Sequence, residues 1–336
     1  MIIKKSPSIA LSTLILSTLV ISPLWYAFAG QGESQTLMQA TRDSESGQII
    51  LIENDQLVLR YNFSTVEPGE LSKKVSADNV KYARPRSNYI HPLYGFDGEE
   101  LTFDWSLDHP HHRGIYWAWP EVKWGEEMGD LHALQRVFAR PTRELKLTSG
   151  TDFAQIEAEN LWLWEDKTPI VREIAFIRAY RSDDRGRYVD LLFQFTALRE
   201  DVTVARRDKD KYGGLNVRLA PVKDQIITFH TDAKESNSPM AWAELSGFFE
   251  GGMSLTGLSI LQNRANPGYP GDWVEYPEIN WFQPTFPTSQ NRYALRKGEP
   301  LVLQYRLWIH RGRADEKTHA EIWQAYDKAP NLQASD

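Results

Sequence analysis

Segments in which apolar and polar side chains alternate residue by residue constrain this chain more than any other feature. From Ala154 to Trp164, Ile156, Ala158, Trp162 and Trp164 share one parity, while Glu157 and Glu159 take the other. Leu301, Leu303, Tyr305, Leu307 and Ile309 alternate in the same way with Gln304, Arg306 and His310. Period-two patterning of this kind belongs to a strand that buries one face. Leu57–Tyr61, Ile174–Tyr180 and Tyr188–Leu198 read likewise, and Ser182-Asp183-Asp184-Arg185-Gly186 supplies a hairpin turn between the last two. Helix is expected only at Asp315–Tyr326, where Asp315 and Glu316 occupy the first turn and Pro330 follows the end. Its Ile322, Trp323 and Tyr326 are expected to pack on a sheet. The fold class is therefore mainly β: a large antiparallel β-sandwich with long loops and a C-terminal helix. The stretch Asn263–Pro287, rich in Pro, Gly and Trp, is expected to be one of those loops.

Two Lys residues, Lys4 and Lys5, precede an apolar run from Ala10 to Ile21, and Ala27-Phe28-Ala29 follows as a cleavage site. Residues 1–29 thus read as a secretory signal, with a periplasmic or secreted destination. The polar residues 30–47 read as a flexible leader, and 48–336 as a single β-sandwich domain. The apolar run is shorter than the roughly 20 residues a membrane helix needs, so no stable membrane insertion is expected after cleavage. There is no cysteine, which removes disulfides, thiolate metal sites and cysteine nucleophiles. The formal net charge of -7, without a dense Lys/Arg run, argues against a nucleic-acid partner.

Chemistry concentrates in Asp108-His109-Pro110-His111-His112-Arg113-Gly114, which holds three of the eight histidines. Imidazole titrates near neutrality and also ligates metals. His111 and His112 are the first choices for proton transfer, with His91 and His109 orienting them or binding a metal. Read as extended chain, the segment would turn His109 and His111 to one face and His112 to the other. That spacing makes His109, His111 and His91 candidate ligands for one divalent metal, with Asp108 or His132 as further options. Arg84, Arg86 and Arg113 are candidates to clamp an anionic group. Trp117, Trp119, Tyr212, Asn266 and Trp273 are candidates to line a sugar site, since aromatic faces beside amides suit a sugar ring. The chain has neither a phosphate loop of the G-x-x-x-x-G-K-[ST] kind nor a G-x-S-x-G elbow.

The run Tyr89-Ile90-His91-Pro92-Leu93-Tyr94, the Asp108–Gly114 element, Tyr212-Gly213-Gly214, Asn266-Pro267 and Trp273 together resemble the family catalogued as PmoA-like or DUF6807. The resemblance covers most of the chain beyond residue 30. Where many relatives carry an Asp-Val-Asn-Gly-like run, this chain has Glu121-Val122-Lys123-Trp124-Gly125. The family name implies a subunit of a methane oxygenase, which is a bundle of membrane helices. The alternating strands exclude that architecture here. The resemblance further implies secreted proteins associated with carbohydrate breakdown.

The expected activity is that of an exported carbohydrate-active enzyme that cleaves or dehydrates an oligosaccharide by hydrolysis or β-elimination. The His/Arg cluster would act as acid/base and anion clamp. Two alternatives remain at this level: a non-catalytic carbohydrate-binding protein, and a metal-dependent oxidase or oxygenase with histidine ligands.

Overall fold

The alternating segments form antiparallel strands, and among the described residues every strand pairing is antiparallel. The computed structural model describes residues 37–208, 211–230, 241–329 and 332. The expected signal segment, 1–29, lies outside the described residues.

One eight-stranded sheet begins with β1 (Met38–Asp43), β2 (Gln48–Glu53), β3 (Gln56–Asn62), β4 (Tyr89–Leu93) and β5 (Ile115–Ala118), side by side in chain order. It continues with β13 (Gly214–Arg218), β18 (Trp281–Pro284) and β17 (Trp273–Tyr276). The second eight-stranded sheet runs in the order β14 (Val222–His230), β15 (Trp242–Phe249), β16 (Thr256–Gln262), β20 (Leu301–Arg311), β11 (Arg187–Ala197), β10 (Thr168–Tyr180), β9 (Phe153–Trp164) and β8 (Val137–Thr148). A four-stranded sheet joins β19 (Arg292–Leu295), β12 (Val202–Ala205), β6 (Glu121–Trp124) and β7 (Glu127–Gly129).

One apolar core draws on all three sheets. Leu51, Leu59, Ile115 and Leu215 from the first meet Ile156, Ile177, Leu191 and Leu303 from the second, with Val122 and Val204 from the third. Burial of these inward parities is what converts the alternation into a sandwich. A polar bridge crosses the layers: Asn160 on β9 donates to the Tyr61 hydroxyl on β3 at 3.2 Å and to Glu173 Oε1 on β10 at 3.1 Å. Trp162 Nε1 donates to Glu173 Oε2 at 2.7 Å.

The helix α1 (Glu316–Lys328) starts where expected, because the Asp315 side chain accepts the Thr318 backbone N–H at 2.7 Å. Ile322, Trp323 and Tyr326 pack on Trp242, Leu261 and Trp308 of the second sheet.

Two expectations are corrected. The leader was expected to extend to residue 47, yet Met38–Asp43 pairs with Gln48–Glu53 as an edge hairpin. Met38 is fully buried in the main core and Ala40 packs against it, so a strand that reads as polar is anchored by two apolar side chains and its backbone ladder. The Asn263–Pro287 stretch is also not all loop. It contains β17 and β18, a hairpin that extends the first sheet, with Trp273 opposite Pro284 and Tyr276 opposite Trp281.

Candidate functional site

The connection between β4 and β5 carries the histidine motif, and it is a turn rather than extended chain. The His112 N–H donates to the His109 carbonyl at 2.9 Å, with Pro110 at the second turn position. Proline presets the φ that position needs, so the segment read as extended chain is closed into a turn by Pro110. All three rings are thereby gathered on one side. His109 stacks on His112 with centroids 4.9 Å apart, and His111 meets His112 edge-on at 4.6 Å. Gly114 lets the turn sit against β4: its φ is +62°, and a Cβ there would lie 2.2 Å from the Ile90 carbonyl oxygen.

A fourth imidazole arrives from the loop between β7 and β8. His132 lies edge-on to His111 at 4.5 Å and 5.3 Å from His112. Its loop is held from two sides. Asp130 Oδ1 accepts the Ala133 N–H at 2.8 Å, and Arg86 Nη2 donates to the Leu131 and His132 carbonyls. The His132 ring is oriented by Tyr116, whose hydroxyl lies 3.0 Å from Nδ1 and whose ring is parallel at 5.8 Å.

These histidines line a cavity of about 780 Å³. Tyr82, Tyr212, Tyr276 and Trp281 supply its aromatic surface; Asn79, Asp108, Arg207, Asp208, Lys211 and Glu278 supply polar groups. Tyr276 stacks on Trp281 at 5.0 Å, and Trp281 in turn packs edge-on against His112 at 4.9 Å. Arg207 is tied to Asp130 at 2.8 Å and donates to the Tyr212 hydroxyl at 3.3 Å. Both the volume and the mix of ring faces with polar groups suit a small saccharide.

Burial holds these imidazoles neutral. His111 is pushed down to about 3, first by desolvation and then by the charges of Arg86, His109, Arg207 and Arg218. His112 and His132 are also driven well below the usual histidine range, mainly by burial and by neighbouring imidazoles and guanidinium groups. Nδ1 of His111, Nδ1 of His112 and Nε2 of His132 are buried and accept or donate no hydrogen bond. Among the described residues, His111, His112 and His132 bring one ligating atom each to within 4.8 Å of one another. Metal–nitrogen bonds of about 2.1 Å in a tetrahedral site set nitrogens roughly 3.4 Å apart, so side-chain shifts on the order of an ångström would close a three-histidine set. Neutral rings, buried unpaired lone pairs and an open side toward the cavity fit a divalent ion; the Tyr116 hydroxyl on His132 Nδ1 is the outer contact that fixes a ligand's tautomer.

Among the residues singled out in the sequence, His109, His111, His112 and Tyr212 reach the cavity, as do Asp108 and His132. The others are corrected. His91 faces Thr102, with Nδ1 3.0 Å from Oγ1, and does not join the convergent set of ligands. Arg113 is fully buried: Nε donates to Asp104, Nη2 to the Tyr89 hydroxyl, and its guanidinium stacks on Trp105 at 3.6 Å. Arg86 is a buried support for the His132 loop, and exposed Arg84 donates to the Lys81 carbonyl. Neither lines the cavity. Trp117 on β5 and Trp119 just beyond it stack on each other at 4.7 Å within the core against Phe195, since both point inward. Asn266 exchanges hydrogen bonds with the Gln304 backbone at 2.7 and 2.8 Å and acts as a buried staple. Trp273 packs on Phe229 and Phe282.

Sequence reasoning passed over Arg207 and Tyr276 as site residues and left His132 as one option among several. His132 had a signal, since it is one of few histidines and follows the motif by twenty positions. Arg207 and Tyr276 had none, because each comes from a different loop or strand.

The sequence model of DUF6807, a family of unknown function, matches residues 50–324. No curated protein matches the chain. Among solved structures, a mutant of the heparan sulfate lyase HepC from Pedobacter heparinus is similar at 9% identity with a TM-score of 0.40, over 82% of this chain and 37% of that one. A second polysaccharide lyase is similar at 13% identity with a TM-score of 0.25, over 85% of this chain and 34% of that one. The chain spans little more than a third of the length of these structures, and at such scores the likeness bears on neither activity nor substrate.

Proposed function

This chain belongs to the DUF6807 family, and we propose that it is a metal-assisted carbohydrate-active enzyme whose cavity breaks a glycosidic bond, or removes water from a sugar, by hydrolysis or β-elimination. One observation carries the reading: three buried, neutral imidazoles with unpaired nitrogens converge at the wall of a cavity of about 780 Å³ lined by tyrosine and tryptophan. His111, His112 and His132 would hold the ion. Once bound, a divalent metal supplies Lewis acidity and a water of lowered pKa.

The remaining work falls to residues around them. His111, held near 3, is too weak a base to take a proton at neutral pH, and burial drives His112 down in the same direction, so both are better ligands than proton carriers. His109 is better placed for proton transfer, because the Asp108 carboxylate lies 3.0 Å from its Nδ1 and orients the ring, leaving Nε2 free toward the cavity. Trp281, Tyr276 and Tyr212 give ring faces for stacking a sugar. Lys211 and Arg207 at the cavity wall would meet an anionic substituent.

The test is mass spectrometry of neutral and acidic oligosaccharides incubated with the protein, beside His112→Ala, with the metal content of both measured. Fragments that gain water indicate hydrolysis; unsaturated fragments indicate elimination. The variant is expected to lose both product formation and one equivalent of metal. Binding without product in the metal-loaded protein would replace the enzyme by a carbohydrate-binding protein. Full metal content in His112→Ala would remove the proposed ligand set.

A further inference from the structure

A second imidazole cluster, outside the cavity, joins three elements of the second sheet and its helix. Glu244 on β15, His310 on β20 and His319 on α1 each bring one ligating atom to within 4.8 Å of the others, and all three are buried. Nε2 of His319 lies 3.1 Å from Glu244 Oε2, and Nε2 of His310 lies 3.3 Å from the same oxygen.

The opposite ring nitrogens define the protonation pattern. Nδ1 of His319 lies 3.0 Å from the Asp315 carbonyl, and Nδ1 of His310 lies 3.5 Å from the Arg311 carbonyl. A carbonyl only accepts, so each Nδ1 is a donor and, in a neutral ring, Nε2 presents a lone pair. Lone pairs facing a carboxylate oxygen require positive charge between them, carried by protons on the two rings in the metal-free protein and by the ion when one is bound. His310 Nε2 is buried and makes no hydrogen bond, while the Ser259 hydroxyl lies 2.8 Å from His319 Nε2. Separations of 3.1 and 3.3 Å are close to those of ligands about a tetrahedral ion, with bonds of roughly 2.0–2.1 Å. Ligating histidines characteristically donate their other N–H to a backbone carbonyl, as both do here. Room for the His310 ring is provided by Gly257, its cross-strand partner on β16, where a Cβ would lie 2.3 Å from His310 Cε1.

We propose that Glu244, His310 and His319 form a structural divalent-metal site, best matched to zinc, that clamps α1 onto β15 and β20. A closed Glu-His-His set without an opening to the cavity suits a structural ion, since binding free energy at such a site becomes folding free energy.

Zinc and cobalt content and thermal unfolding of the full-length His111→Ala/His132→Ala protein, which lacks the cavity ligands, test this directly. It is expected to retain one tightly bound zinc, to give tetrahedral ligand-field absorption with Co²⁺, and to lose about 4 °C or more in Tm on chelation. Glu244→Gln added to that background is expected to abolish the remaining equivalent and the chelator sensitivity. A cavity-ligand variant that holds no metal, and whose Tm moves with neither zinc nor chelator, would overturn the clamp without needing any substitution in it. Retention of the metal after Glu244→Gln would overturn it equally.

Discussion

Two imidazole clusters occupy this sandwich, and they differ both in what surrounds them and in whether a carboxylate joins the histidines. His111, His112 and His132 open onto a cavity and have guanidinium groups of Arg86, Arg207 and Arg218 among their electrostatic neighbours. Glu244, His310 and His319 are sealed beneath α1 with a carboxylate at their centre. The first set has an open side toward the cavity, where a reacting molecule can enter. The second joins two strands to a helix. On the proposed reading the contrast is that between a catalytic and a structural metal site, set by whether a loop or a helix covers the histidines.

The sharpest way to break the comparison is to remove one histidine from each cluster. His132→Ala is expected to cut turnover by more than ~100-fold, with Tm little changed, because only the cavity loses a ligand. His319→Ala is expected to do the reverse: roughly 3 kcal/mol of stability is lost, while kcat is kept. Activity assays beside calorimetry decide, and equal effects of the two variants on both quantities would dissolve the distinction.

Buried carboxylates sharpen it further. In the metal-free protein Glu244 is held down to about 2, against the cost of its burial, by hydrogen bonds and charge from protonated His310 and His319. Glu173 is raised to about 7 by burial, despite hydrogen bonds from Trp162 and Asn160. The folded protein therefore binds a proton at Glu173 that the unfolded chain releases near its ordinary value of 4.5. Stability from this group is full below about 4.5 and falls as pH rises through 7, by roughly 3 kcal/mol at most. Unfolding midpoints of Glu173→Gln across pH 5–8 should be flatter than those of the parent; parallel curves would assign the pH dependence elsewhere.

Two smaller effects probe the cavity side. Arg86→Met removes the donor to the His132 carbonyl and is expected to weaken metal affinity by ~10–100-fold, read by competition with a chelating dye. Trp281→Ala is expected to raise KM by about 10-fold with kcat nearly unchanged, as fits loss of a stacking face. A fall in kcat alone would instead place Trp281 in the chemistry through its contact with His112.

The fold was largely legible in the sequence. Strand periods at 154–164, 174–180, 188–198 and 301–310 appear as β9, β10, β11 and β20, and the acids before α1 include its actual cap. Less of the site was legible. Asp108–Gly114 marked where chemistry concentrates, yet Pro110 closes a turn, which changed the geometry of every histidine around it. Trp117 and Trp119, next to the motif, were expected in the site and lie in the core. Trp281, far along the chain, lies against His112.

What the sequence by itself determined is the local part: which segments alternate, where a helix is capped, and which short element concentrates ionisable groups. These follow from interactions within a few residues, such as side-chain parity, capping and turn preference. Tertiary structure decided which histidines meet. His132 reaches His111 because Arg86 and Asp130 hold its loop, and Glu244, His310 and His319 meet through strand register and the docking of α1. Such meetings depend on register and loop closure between segments distant in the chain, which no local pattern encodes.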